Sequence, residues 1–222
     1  MALTIMATCM AITFGVFYSI TKAWQRGRAM ADNFNRGEFV MEQLAIGLRS
    51  AFYSPPPTNR NDASTDFGFH LTDGGEGPQT RSVISWVKAG PELLGYDTAL
   101  EFGLHRVSLS VEQNPDGQPA LAVRAWRPYT SLLDDFSPED EPPFFLTTGV
   151  QGLACRVSTN LADDGWEWED IWEGPATNTI PLAVEVTLYL DPLETHEPPV
   201  SLQRTVTIPV APLSRLPRGR AR

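Results

Sequence analysis

Cysteine and histidine are scarce in this 222-residue chain, with two and three copies. That excludes a disulfide-stapled small domain and any four-cysteine zinc module. His70, His105 and His196 are too scattered for a helical two-histidine metal motif. No serine elbow, phosphate-cradling glycine loop or cysteine–histidine pairing is present. Cys9 sits in an apolar N-terminal run and Cys155 between Leu153 and Val157. Placed so far apart they are not expected to bridge, and Cys155 reads as a buried thiol. His105 falls in a strand pattern and reads as structural rather than catalytic. No cofactor or metal is expected.

Charged residues are only 20% of the chain and hydrophobic residues 42%, so most of it can bury a core. Nineteen prolines and seventeen glycines favour a strand-rich, loop-rich body over a helical bundle. The net charge of −10 is uneven: residues 1–36 carry +3, the basic tail 215–222 carries +4, and the stretch between holds −17. An acidic body repels phosphate backbones, so no nucleic-acid partner is expected.

Charge is absent altogether from Met1 to Ile20. As a helix, twenty residues span roughly 30 Å, the thickness of a bilayer core. Residues 1–20 are therefore read as a membrane-spanning half-helix, with Leu3, Ile5, Ile12, Phe14, Val16, Phe17 and Ile20 as its membrane and filament-assembly residues. The threonines and serine can return hydrogen bonds to the preceding turn. A cleaved secretory signal is the rival reading, but it wants a basic leader and a shorter apolar run.

Proline is also missing between Thr21 and Phe52, where Met30, Phe34, Met41, Leu44, Leu48 and Phe52 recur at helical spacing. Residues 21–53 are read as the amphipathic half of the same helix, with that stripe packing on a sheet. One rod of about 50 residues and about 75 Å results, stopped at Ser54-Pro55-Pro56-Pro57. An anchor followed by a separate amphipathic helix is the alternative.

Beyond the prolines, residues 54–81 read as a long surface connection. Period-two alternation follows. Val107, Leu109 and Val111 alternate with polar residues, Asn114-Pro115-Asp116-Gly117 makes a turn, and Leu121, Val123 and Ala125 resume the apolar face, which reads as a hairpin. Leu182 to Leu190 and Leu202 to Val210 repeat the pattern, so residues 54–214 read as an antiparallel β-rich domain. The fold class is α+β. Six carboxylates and three tryptophans lie within Asp163 to Glu173. The readings are a solvated acidic loop, a partner-contact patch of Asp163, Asp164, Trp166, Glu167, Trp168 and Trp172, or a calcium site. The tryptophans could equally close the sheet as core residues. A second acidic run, Asp134-Asp135 to Glu141, reads as an exposed loop.

This arrangement of uncharged helix, amphipathic rod, prolyl stop and antiparallel sheet resembles the type IV pilin-like family. Ala2-Leu3-Thr4-Ile5 looks like the middle of that family's N-terminal segment. The Phe-Thr-Leu-x-Glu motif, processing glycine and basic leader are not in these 222 residues. They are expected upstream in the reading frame, or the chain departs from the family there. The body is most similar to minor pseudopilin J of type II secretion systems. The likeness runs through Leu104-His105-Arg106-Val107, Leu121-Ala122-Val123-Arg124, Gly149-Val150-Gln151-Gly152-Leu153, Trp166 to Trp172 and Ile180 to Leu188.

The resemblance implies a pilin-like fold and a non-enzymatic subunit at the tip of a pseudopilus. Its implied partners are other minor pseudopilins, the inner-membrane assembly platform and the lipid bilayer. It also implies a single-pass inner-membrane protein with its globular domain in the periplasm, although Lys22, Arg26 and Arg28 after the anchor favour the opposite orientation by charge alone. A minor pilin of a type IV pilus, a membrane-anchored β-rich ligand-binding or scaffold protein, and a tethered hydrolase using the 163–173 carboxylates stay open as alternatives.

Overall fold

The computed structural model describes residues 1–54, 67–95, 98–132, 136–162, 165–173, 179–194 and 196–215. One α-helix, α1 (Ala2–Arg49), runs 48 residues without interruption, which is about 72 Å. Among the described residues ten strands follow: β1 (His70–Thr72), β2 (Val83–Lys88), β3 (His105–Gln113), β4 (Pro119–Trp126), β5 (Phe144–Thr148), β6 (Val150–Ala162), β7 (Gly165–Glu169), β8 (Trp172–Glu173), β9 (Ala183–Leu190) and β10 (Val200–Thr207). They form two sheets, in the orders β5-β4-β3-β2-β1-β8 and β10-β9-β6-β7, with antiparallel strand pairing throughout.

The alternation sets which side chains face inward. Val107, Leu109 and Val111 of β3 join Leu121 and Val123 of β4 in one core with Leu153, Cys155 and Val157 of β6 and Val184, Val186, Leu188 and Leu190 of β9. The β3–β4 turn matches its sequence signature. The Asn114 side-chain oxygen accepts from the amides of Asp116 at 3.0 Å and Gln118 at 2.8 Å, and Gly117 takes a φ of +75°. A side chain there would be strained, so glycine closes the hairpin.

Three sequence expectations are corrected. The helix ends at Arg49, six residues before the first proline, with Ser50 as its cap. The Ser50 hydroxyl donates to the Gly47 carbonyl at 2.9 Å, and Ala51 bridges Lys88 of β2. The sheet captures the backbone before proline can break it. Phe52 is consequently not on a helix face: its amide donates to the Val87 carbonyl at 2.8 Å, and its ring packs edge-on against Phe67. Residues 54–81 are not all connection either, since 70–72 form β1 with Phe69 and Leu71 buried. The stretch is too short for alternation to stand out among its polar neighbours. Segment 80–82 also pairs with β6, exchanging Leu153 N–H to Thr80 O at 2.8 Å and Ser82 N–H to Leu153 O at 2.9 Å.

Candidate functional site: one helix in two environments

Every residue from Met1 to Asp32 is exposed, and the first buried position on α1 is Asn33. The apolar N-terminal run is long and apolar enough to cross a membrane, and none of it is covered by the rest of the chain. Leu3, Ile5, Ile12, Phe14, Val16, Phe17 and Ile20 are all bare. The threonine hydroxyls in this stretch do not demand water. Thr8 donates to the Thr4 carbonyl at 2.8 Å, Thr13 to Cys9 at 2.8 Å and Thr21 to Phe17 at 2.9 Å. Each of these hydroxyls is satisfied inside the helix, as a polar group in hydrocarbon must be.

From Asn33 onward the same helix is part of the globular core. Asn33, Gly37, Val40, Met41, Leu44, Ala45, Gly47 and Leu48 are buried and line one face. Two glycines permit the close approach. A Cβ at Gly37 would lie 2.1 Å from Leu202 Cδ1 of β10, and one at Gly47 would lie 2.6 Å from Leu93 Cδ1. Trp86 of β2 donates its indole N–H to the Gly47 carbonyl at 3.0 Å while stacking on Phe69. Charged groups fix the flank: Arg204 of β10 pairs with Glu38 at 2.7 Å and Glu42 at 2.9 Å. Arg26 reaches Glu194 at 3.7 Å and also pairs with Glu197, both beyond β9. The Asn33 amide donates to the Asp191 carbonyl at 3.2 Å.

The expected stripe therefore divides. Met41, Leu44 and Leu48 are buried on the sheets, whereas Met30 and Phe34 stay 58% and 50% exposed. Met30 lies N-terminal to the first buried position, Asn33, and Phe34 lies at the edge of the packed face. Asn33, Gly37 and Gly47 were not signalled by hydrophobic periodicity, because their role is hydrogen bonding and close approach rather than apolar bulk.

The tryptophan-rich segment is a strand and a crossover rather than a loop. β7 lies at the edge of the smaller sheet, and the chain then crosses to β8 at the edge of the larger one. Trp172 is buried in the core there. Trp166 and Trp168 are half-buried with ring centroids 6.1 Å apart, and Glu167 is exposed. Asp163 and Asp164 lie outside the described residues, as do Asp134, Asp135 and tail residues 216–222. Among the described residues no group of three or more His, Cys, Asp or Glu side chains could hold a metal ion.

Several polar groups away from the helix are engaged within the fold. A groove of about 830 Å³ on the outer face of the larger sheet is lined by Ser85, Arg106, Ser108, Arg124 and Phe136. Arg124 is engaged by Glu112 and by the Glu141 carbonyl at 2.9 Å, and Arg106 donates to the Ser85 hydroxyl at 3.2 Å. Burial pushes the Cys155 thiol up to about 12, leaving it inert as a nucleophile. The buried Lys88 ammonium donates to the carbonyls of Gly90 at 2.7 Å and Glu92 at 3.0 Å, holding the loop that brings Leu93 onto the helix.

Beside Lys88 is fully buried His105. Burial first, and the Lys88 charge second, push its imidazole from 6.5 down to about 4. The unfolded chain then takes a proton before the folded chain does. The part of the stability that depends on His105 should be full above about pH 6.5, fall between 6.5 and 4, and level off below, by about 3 kcal/mol in total. Urea unfolding of the full chain in detergent at pH 7 and pH 4.5 checks this. His105→Leu should remove that part of the acid sensitivity.

A comparison with curated proteins returns no match for this chain. Residues 15–198 match the family model described as type II secretion system (T2SS), protein J, and that span takes in most of α1 and all the strands up to β9. The chain belongs to the type II secretion protein J family and is a minor pseudopilin of the type II secretion system.

Proposed function

We propose that this minor pseudopilin is a structural, non-enzymatic subunit at the tip of the pseudopilus, held in the inner membrane by α1 until partners draw it into the filament. Its globular domain lies in the periplasm. Its partners are other minor pseudopilins, the pseudopilus below them and the inner-membrane assembly platform. The observation that carries this reading is the continuity of α1: its bare apolar half and its docked half are one unbroken helix. A rigid helix transmits position, so whatever holds residues 1–20 also sets where the sheets stand.

The physics couples extraction to partner binding. Leaving the bilayer exposes apolar side chains to water at about 25 cal/mol per Å². Packing against neighbouring helices removes that cost, so a lone subunit stays in lipid and a partnered one can leave it.

A charge in the bare half tests this. Ile12→Arg or Val16→Arg should cost about 3 kcal/mol at the bilayer centre. The expected result is loss of both membrane retention and co-purification with the other minor pseudopilins, while the near-ultraviolet dichroism of the globular part stays native. Unchanged assembly in either variant would refute the reading.

A further inference from the structure

The four sheet edges are not equally protected. β5 and β10 lie against α1, and β8 is only two residues long. β7 is a five-residue edge beyond β6, and among the described residues no other strand or helix pairs with its outer side. The alternation of an antiparallel ladder turns the backbone of every second residue away from β6, so among the described residues this side presents amides and carbonyls without backbone partners.

Two features around that edge select what it would accept. Glu167, Glu169 and Asp170 are exposed along it. A second copy would bring the same carboxylates to the same place, so self-pairing edge to edge is repelled. Trp166 and Trp168 supply half-buried rings, and Trp168 already carries a guanidinium: Arg156 sits 5.1 Å from the ring centroid while its Nε donates to Glu185 at 2.5 Å. Glu167 and Glu169 lie on one face of β7 and Trp166 and Trp168 on the other. Unpaired backbone, carboxylates and rings together fit one kind of occupant, an extended segment whose alternate side chains are basic on the carboxylate face, with small or β-branched ones between them on the tryptophan face.

We infer that the outer edge of β7 is a docking strand for an arginine-bearing extended segment of a partner subunit, which adds to the smaller sheet as a fifth strand. This rests on the reading of the chain as a filament subunit only for the source of the segment. The binding itself is measured apart from assembly, so the two can fail separately.

The probe is a synthetic decapeptide alternating arginine with threonine and valine, titrated onto the full chain in detergent and followed by tryptophan fluorescence. It should bind in a salt-sensitive manner. Methylating its alternate backbone amides should abolish binding, because the ladder then cannot form. The double variant Glu167→Lys/Glu169→Lys should weaken binding about tenfold without altering near-ultraviolet dichroism. Equal binding by the methylated peptide, or by the double-lysine variant, would overturn the inference. So would binding seen only after residues 216–222 are removed, which would give the edge to the chain's own tail. A calcium-induced change in Trp166 and Trp168 emission that excludes the peptide would also overturn it.

Discussion

Replacing Trp86 with alanine should lower the unfolding free energy by about 3–5 kcal/mol, the range for deleting a large buried aromatic side chain. Trp86 is 1% exposed and lies where helix meets sheet. It stacks on Phe69 with ring centroids 6.3 Å apart and donates to the Gly47 carbonyl of α1. Alanine removes the stack, leaves a cavity under the helix and deprives that carbonyl of its indole donor. Trp86→Phe should separate these contributions. It keeps most of the packing and loses the hydrogen bond, with an expected cost of about 1 kcal/mol beyond the small change in volume. Urea unfolding of the full chain in detergent, followed by near-ultraviolet dichroism, reads both. A loss below about 1 kcal/mol for the alanine variant would mean that α1 is not seated on β2.

The second large effect separates two kinds of apolar residue on α1. Leu44→Ala or Leu48→Ala should each cost about 2–5 kcal/mol, because both are buried against the sheets. Phe34→Ala, half-exposed on the same helix, should change stability by no more than about 0.5 kcal/mol. The same unfolding measurement distinguishes them. Phe34 and Met30 should instead matter where a neighbouring subunit covers them, so co-purification with other minor pseudopilins is the assay in which Phe34→Ala should register. Equal stability losses at Phe34 and Leu48 would place the globular part further along the helix than Asn33.

Much of this architecture is legible in the amino-acid order because two periodicities govern it. The uncharged start and the three- and four-residue spacing of Met41, Leu44 and Leu48 specify one helix, and that helix is continuous through Thr21 and Gly27. Alternation around the Asn114–Gly117 turn marks β3 and β4 as a hairpin and marks β9 and β10 as strands, while the pairing registers appear only in the structure. The exit from the helix is not legible, because proline is the loudest local signal, yet a bridge between Ala51 and Lys88 acts first. Such a bridge depends on a residue 37 positions away and leaves no local trace. β1 and β8 are similarly quiet: three and two residues cannot display a period.

The site shows the same division. The bare apolar half of α1 can be read from composition alone. The docked half needs Gly37 and Gly47, whose importance lies in the missing side chain and appears only beside Leu202 and Leu93. In the tryptophan segment, burial of Trp172 follows from the crossover between sheets, whereas Trp166 and Trp168 stay near the surface on β7.

Spin labels at Ala11 and Phe39, in a Cys9→Ser background within lipid nanodiscs, measure directly whether lipid-embedded and sheet-docked segments are a single stiff element. Both positions are exposed and 28 residues apart. An unbroken helix predicts one narrow distance distribution near 42 Å, from about 1.5 Å of rise per residue. A broad distribution centred below about 35 Å would mean that the helix breaks at the membrane surface and that the anchor does not set the position of the sheets.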